Sequence, residues 1–172
     1  MTCWQERFLG LAAHIAQWSK DPSTKCGCIV VRPDKTIAST GFNGYPQGIK
    51  DEKLDIRGYK LERIIHAEMN ALLFLRERPV GYTAYVWPMM PCNRCAVHIV
   101  QAGISQVIAP IYYGERWKSA IEITRSLFNE AGVAYAEIYT NLHDNPLGAG
   151  GLPPREQQIG AENGQAAPRS RP

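Results

Sequence analysis

No stretch of this chain stays apolar long enough to span a bilayer, no block of Lys or Arg stands out, and no segment repeats. Each of these gaps removes a class of function. A membrane-crossing helix needs about 20 predominantly apolar residues, so an integral membrane protein is not expected. The N-terminal residues also lack the charged-then-apolar layout of a secretory leader. The net charge is only +3, whereas nucleic-acid binders usually carry a basic stripe, so a small-molecule ligand is favoured over nucleic acid. There is no even set of cysteines to pair: the count is five, and two of them sit in a metal-ligand spacing, which argues against a secreted disulfide framework and for a cytoplasmic protein. What is present is ordinary in bulk: 172 residues, 45% apolar and 20% charged, enough for one soluble domain with a full hydrophobic core.

Helices and strands alternate along the chain. An amphipathic helix is expected from about Trp4 to Trp18, with Phe8, Leu11, Ala12 and Ile15 on its apolar face and Asp21-Pro22-Ser23 closing it. Cys26–Arg32 and Ile37–Gly41 read as paired strands around a turn at Pro33-Asp34. The polar stretch from Gly44 to about Arg63 is long for a plain loop, so a functional or ligand-ordered segment is expected there. A helix starting near His66, a strand over Tyr82–Trp87 and a helix from Cys92 to a stop at Gly103 follow. Ser105–Ala109 makes a strand, Lys118–Ala131 a helix and Val133–Tyr139 the last strand. Strands separated by helices imply a layered α/β fold with helices packed on the sheet. Residues 1–143 are assigned to this domain. From 144 to 172, ten of the twenty-nine residues are Gly or Pro and the apolar periodicity fades, so a disordered or surface-draped tail is expected.

Chemistry concentrates in two short motifs, His66-Ala67-Glu68 and Pro91-Cys92-Asn93-Arg94-Cys95. A catalytic zinc usually takes three protein ligands and leaves a fourth position to water, whose pKa it lowers to roughly 7. His66, Cys92 and Cys95 supply those ligands, and two thiolates with a neutral imidazole cancel the charge of the ion. Glu68 is left over as a carboxylate that is not itself a ligand, suited to shuttle a proton from the activated water to the substrate. Cys92 and Cys95 are three apart, so on the first turn of a helix both sulfurs face the same way, with Pro91 at the helix start. His66 and Glu68 are only two apart and converge only if a helix begins there.

Other tempting residues have plainer readings. Cys26 and Cys28 alternate with apolar neighbours and are expected to be buried small hydrophobes, while Cys3 is expected to be a free thiol near the terminus. His14 and His98 lie on expected helices as surface or core residues, and His143 sits where structure fades. Trp87-Pro88-Met89-Met90 leads into the Cys92 helix and is a candidate pocket lining, with core packing the stronger reading for Trp87.

The pattern H-x-E…P-C-x-x-C is the signature of zinc-dependent nucleobase deaminases. Further segments carry a closer resemblance: Lys20-Asp21-Pro22-Ser23-Thr24-Lys25-Cys26-Gly27, Gly41-Phe42-Asn43-Gly44-Tyr45-Pro46, His66-Ala67-Glu68-Met69-Asn70-Ala71 and Gln101-Ala102-Gly103-Ile104. Over roughly Phe8 to Ile138 the chain resembles the deoxycytidylate deaminases within the cytidine/deoxycytidylate deaminase family. The resemblance implies a cytidine-deaminase-like three-layer α/β/α sandwich around a central mixed sheet of about five strands. It implies hydrolysis of dCMP to dUMP and ammonia with one zinc per subunit, in a homo-oligomer that is often a hexamer. Activation by dCTP and inhibition by dTTP are implied as well. Asn43 is implied as a contact to sugar or base, Lys25 and Arg116 are the candidates for the substrate phosphate, and Tyr113 is a candidate to stack or hydrogen-bond nearby.

The segment from Gly41 to Gly48, with Gly41, Asn43 and Gly44, corresponds to the loop that many relatives use for the effector nucleotide. Those relatives typically carry Arg where this chain has Gln47, a loss of one phosphate partner. No additional Cys and His in the Gly44–Arg63 segment are available for a second, structural zinc. A deaminase of another cytosine or adenine target, such as a nucleoside or an adenosine in tRNA, is the alternative reading. A non-catalytic, zinc-stabilised nucleotide-binding module is the third, although it would have no need of Glu68.

Overall fold

In the computed structural model, residues 4–140 are described. The expected domain limit at 143, the tail, Cys3 and His143 lie outside those residues. Five helices and five strands are present among them: α1 (Trp4–Ala16), β1 (Gly27–Val31), β2 (Ile37–Phe42), α2 (Arg57–Leu61), α3 (Ala67–Leu73), β3 (Thr83–Trp87), α4 (Asn93–Ala102), β4 (Gln106–Pro110), α5 (Lys118–Ala131) and β5 (Ala134–Ile138).

The strands form one mixed sheet in the order β2-β1-β3-β4-β5. β1 runs antiparallel to both β2 and β3, whereas β3, β4 and β5 are mutually parallel. The parallel pairs are joined through α4 and α5, as a parallel connection requires a crossover. Period-two alternation sorts β1 between two cores. Cys28 and Val30 face a cluster with Ala67, Ala71, Ala96, Ile99, Ile121 and Phe128 from α3, α4 and α5. Ile29 and Val31 face Phe8, Leu9, Ala12 and Ala16 of α1, together with Tyr85, Trp87 and Ile108. The sheet is therefore covered on both faces, and the expected three-layer α/β/α sandwich with five strands is what the chain forms.

The differences from the sequence reading are local. Helix α1 stops at Ala16 rather than Trp18, because the last residues tighten into i→i+3 turns, with Trp18 N–H donating to Ile15 O and Ser19 N–H to Ala16 O. Trp18 is 54% exposed, so no core contact holds it in the helix. Pro91 stands one position outside α4, since Cys92 is the cap residue with extended backbone (φ −71°, ψ 162°) and Asn93 is the first helical residue. Its carbonyl accepts the hydroxyl of Thr124 from α5 at 2.9 Å, which ties the two helices that flank the site. The polar 44–63 segment is not a bare loop: it contains α2. Its ends are clasped by a two-residue bridge, Gly44 N–H to Ile65 O at 3.1 Å and Ile65 N–H to Gly44 O at 2.8 Å. That bridge brings Asn43, at the end of β2, next to His66, at the start of α3. Trp87 packs in the α1-side core, while Met89 and Met90 turn to the opposite face and line the pocket described next.

Candidate active site

Two helix starts meet below the C-terminal end of β3. His66 caps α3 with extended backbone (φ −72°, ψ 157°), and Cys92 caps α4 in the same conformation; neither side chain is used to cap its own helix. Both are free to turn inward, where Cys95 joins them from the first turn of α4. His66 Nδ1 lies 3.5 Å from Cys92 Sγ and 3.4 Å from Cys95 Sγ. Ligand bonds of about 2.3 Å for sulfur and 2.0–2.1 Å for nitrogen at a tetrahedral angle place S and N about 3.6 Å apart, so the spacing fits zinc. All three donor atoms lie within 4.8 Å of one another, the one such His/Cys/Asp/Glu group of three or more among the described residues.

The three donors lie close enough to set one another's protonation. Hydrogen bonding from Cys95 pulls the Cys92 thiol down to about 4 against the cost of burial, with His66 contributing. The same Cys92 sulfur pushes the His66 imidazole up to about 9. Cys95, buried and facing Cys92, is driven upward.

Glu68 sits on the first turn of α3, two residues after His66, and is 5% exposed. Burial raises its pKa, with the His66 imidazole pulling the other way. Both line one pocket with Cys92, Cys26, Asn43, Met89 and Met90. The remaining walls come from the α1–β1 loop (Asp21, Ser23, Thr24), from α2 and the residues after it (Lys60, Leu61, Ile64), and from the start of α5 (Arg116, Trp117, Ala120, Ile121). Apolar side chains such as Met89, Met90, Leu61 and Ile121 share the lining with a few polar and charged groups, the mixture by which small-molecule pockets bind and orient a ligand.

The other residues singled out from sequence divide. Asn43 is inside, with its Oδ1 accepting the Cys26 N–H at 2.8 Å and its Nδ2 donating to Thr24 O at 2.9 Å and to Asp21 Oδ2 at 3.3 Å. Arg116 lines the pocket mouth, its guanidinium 4.9 Å from the Trp117 ring centroid. Lys25 is not among the lining residues, and its Nζ donates to Gln17 O at 3.4 Å. Tyr113 is also off the lining and is exposed. Gly41 lies on β2, tight against the backbone of α3, and Gly44 makes the bridge to Ile65. Cys26 is half-buried beside the site and Cys28 is fully buried; burial raises both thiols, so they are neutral.

Asp21 and Lys60 went unassigned in the sequence. Lys60 reaches Asp21 Oδ1 at 2.8 Å with both side chains almost fully buried. The one signal available was the length of the polar 44–63 segment, since a single Lys without apolar periodicity around it does not announce burial.

Three comparisons agree with this geometry. The family model described as "Cytidine and deoxycytidylate deaminase zinc-binding region" matches residues 2–111. The chain is 39% identical over 134 residues to an uncharacterized deaminase of the luxG 3′ region of Aliivibrio fischeri, covering 76% of this chain and 90% of that protein. It is 37% identical over 145 residues to the deoxycytidylate deaminase of Homo sapiens, covering 78% of this chain and 79% of that one. The crystal structure of dCMP deaminase from the cyanophage S-TIM5 in apo form superposes with a TM-score of 0.59 at 25% identity, covering 78% of this chain and 96% of that one. With a zinc-compatible His/Cys/Cys triangle, a buried carboxylate beside it and a family model spanning both, the chain belongs to the zinc-dependent cytidine and deoxycytidylate deaminase family.

Proposed function

We propose that the chain hydrolyses dCMP to dUMP and ammonia. The observation that carries this reading is that one pocket is lined by the buried Glu68, by His66 and Cys92 of the His66/Cys92/Cys95 triangle and, at its mouth, by the Arg116 cation. The relatives named deoxycytidylate deaminase, from phage to human, support the choice of substrate.

Zinc held by His66, Cys92 and Cys95, one ion per subunit, supplies the Lewis acidity that makes water a nucleophile at neutral pH. The rest falls to the chain. Glu68 is held in a dry wall where its carboxyl retains a proton more readily than in water. It takes the proton of the attacking water, delivers it to the ring nitrogen of the cytosine, and then serves the departing amine. Met89, Met90 and Ile121 give the base an apolar slot. Asn43 offers Oδ1 to the sugar, and Arg116 offers its donors to the phosphate dianion. Arg116 is favoured over Lys25 and Tyr113 for that role because it lies on the pocket.

The same reading places the protein in the cytoplasm as a homo-oligomer. No helix among the described residues is long and apolar enough to cross a membrane. Leu73 and Phe74 at the end of α3 are exposed next to the edge strand β2, an apolar surface suited to a second copy. A shallow concavity under Phe42–Gly48 is the place for an effector nucleotide. Its cation Lys20 is already paired with Asp51 at 2.6 Å and Gln47 adds no charge, so the response to dCTP and dTTP is expected to be weak.

The test is Glu68→Gln. It should keep zinc and the fold while lowering dCMP turnover at least about a hundredfold, the scale of a lost general acid–base. Turnover at the wild-type rate in that variant would remove Glu68 from the chemistry.

A further inference from the structure

We propose that Asp21 is a positioning residue of the pocket: it orients Asn43 as a hydrogen-bond acceptor for a sugar hydroxyl, with Lys60 of α2 as the cation that balances its buried charge. The proposal rests on the reading of the pocket as a nucleotide deaminase site.

Asp21 is 4% exposed and Lys60 is 7% exposed. They come from segments 39 residues apart, the α1–β1 loop and the clasped segment behind Asn43. Both carboxylate oxygens of Asp21 are engaged. Its Oδ1 accepts from Lys60 Nζ at 2.8 Å, from the Ser23 N–H and hydroxyl at 2.8 Å each, and from the Thr24 N–H at 3.3 Å. Its Oδ2 accepts one Asn43 Nδ2 hydrogen at 3.3 Å. The second Nδ2 hydrogen goes to Thr24 O, and Asn43 Oδ1 accepts the Cys26 N–H.

An amide in this cradle has one orientation. Turned over, it would set its NH₂ against the Cys26 N–H and its oxygen against two acceptors, Thr24 O and Asp21 Oδ2. Both Asn43 donors are consumed, so the one valence it has left is a lone pair on Oδ1. It can therefore receive a donor, such as a sugar hydroxyl, and has nothing to give a phosphate oxygen. Asp21 is the member that a neutral residue cannot replace. An amide at position 21 could present either its NH₂ or its oxygen to Asn43, and it would leave the Lys60 ammonium without a counter-charge in a buried wall. Because Lys60 belongs to the 44–63 segment, that segment becomes part of the sugar-binding wall.

The experiment compares dCMP with 2′,3′-dideoxycytidine monophosphate by ammonia release, using the zinc-loaded full chain as wild type and as Asp21→Asn. Wild type should favour the hydroxylated substrate by about tenfold in kcat/KM, the scale of one hydrogen bond. Asp21→Asn should bring that ratio close to one, with the loss for dCMP falling more on KM than on kcat. The ratio is taken within one preparation, so a smaller folded fraction does not move it. A wild-type ratio retained in Asp21→Asn overturns the proposal, as does a wild type that deaminates dCMP without preferring the 3′ hydroxyl. A wild type that deaminates neither nucleotide defeats the nucleotide reading first, and the proposal with it. If Asp21→Asn does not fold, Lys60→Gln carries the same comparison: it should lose the preference and Lys60→Arg should keep it, and the reverse order refutes the role.

Discussion

Replacing Gly41 by alanine should damage the active site from behind. A Cβ on Gly41 would lie 2.3 Å from Ala67 O and 2.3 Å from Ala71 N, both backbone atoms of α3. Real Cβ contacts essentially never fall below 3.0 Å, so α3 must move away from β2 by roughly 0.7 Å. Neither side has a rotamer to yield. The interface is also pinned by Ser39 Oγ to Ala71 O at 2.7 Å and Asn70 Nδ2 to Phe42 O at 2.7 Å, which the shift would stretch. Overpacking of this kind costs about 1–3 kcal/mol, or a fall of roughly 3–12 °C in Tm for a domain of this size. Helix α3 carries both His66 and Glu68, and displacements of about 1 Å can cost 10²-fold in rate. Gly41→Ala should therefore fold, melt lower and lose about ten- to a hundredfold in kcat/KM for dCMP. Calorimetry and an ammonia-release assay on the zinc-loaded protein measure both. Gly58→Ala is the control: nothing lies within 4 Å of its Cβ position, and on α2 it should be neutral or stabilising by about 0.4–1 kcal/mol. Wild-type Tm and rate in Gly41→Ala would refute the reasoning.

Cys92→Ala should lose zinc, measured by metal analysis, and lose stability with it because binding and folding are coupled; full zinc occupancy would mean that the ligands have been misassigned. Acid should act through Asp21. Burial opposes its ionisation, yet Lys60 and the Ser23 and Thr24 hydrogen bonds hold its carboxyl below the ordinary 3.8. A depressed carboxyl contributes stability that is present above the unfolded pKa and is lost as pH falls through the folded one. Denaturant titrations from pH 6 downward should therefore show wild type losing more stability below pH 3.8 than Asp21→Asn does. Parallel pH profiles for the two proteins would contradict that assignment.

Much of this was legible in the chain because the informative features are local. Alternation in β1, the αL glycines that stop α4 and α5 (Gly103 at φ 94°, Gly132 at φ 69°), and the short spacings of the zinc motif each depend on a few neighbouring residues. The strand pair β1–β2 and helix α5 follow from the same kind of signal, to within a residue or so. What escaped is non-local. The Asp21–Lys60 pair joins positions 39 apart, and nothing near either residue marks it as buried. Gly41 sits in a segment that resembles an effector loop, but its packing role depends on how closely α3 approaches β2. Lys25 and Arg116 are equivalent as cations on loops, and only the closing of the pocket separates them.

The central claim is tested most directly by presenting dCMP, CMP, deoxycytidine and dCTP to the purified, zinc-loaded protein and measuring ammonia release, with dCTP and dTTP added in turn as effectors. The account predicts that dCMP is the preferred substrate, that chelation abolishes the reaction, and that the effectors change the rate little. Failure to deaminate any of the four, with zinc bound, would contradict it and point to a nucleic-acid or non-cytosine target for the same centre.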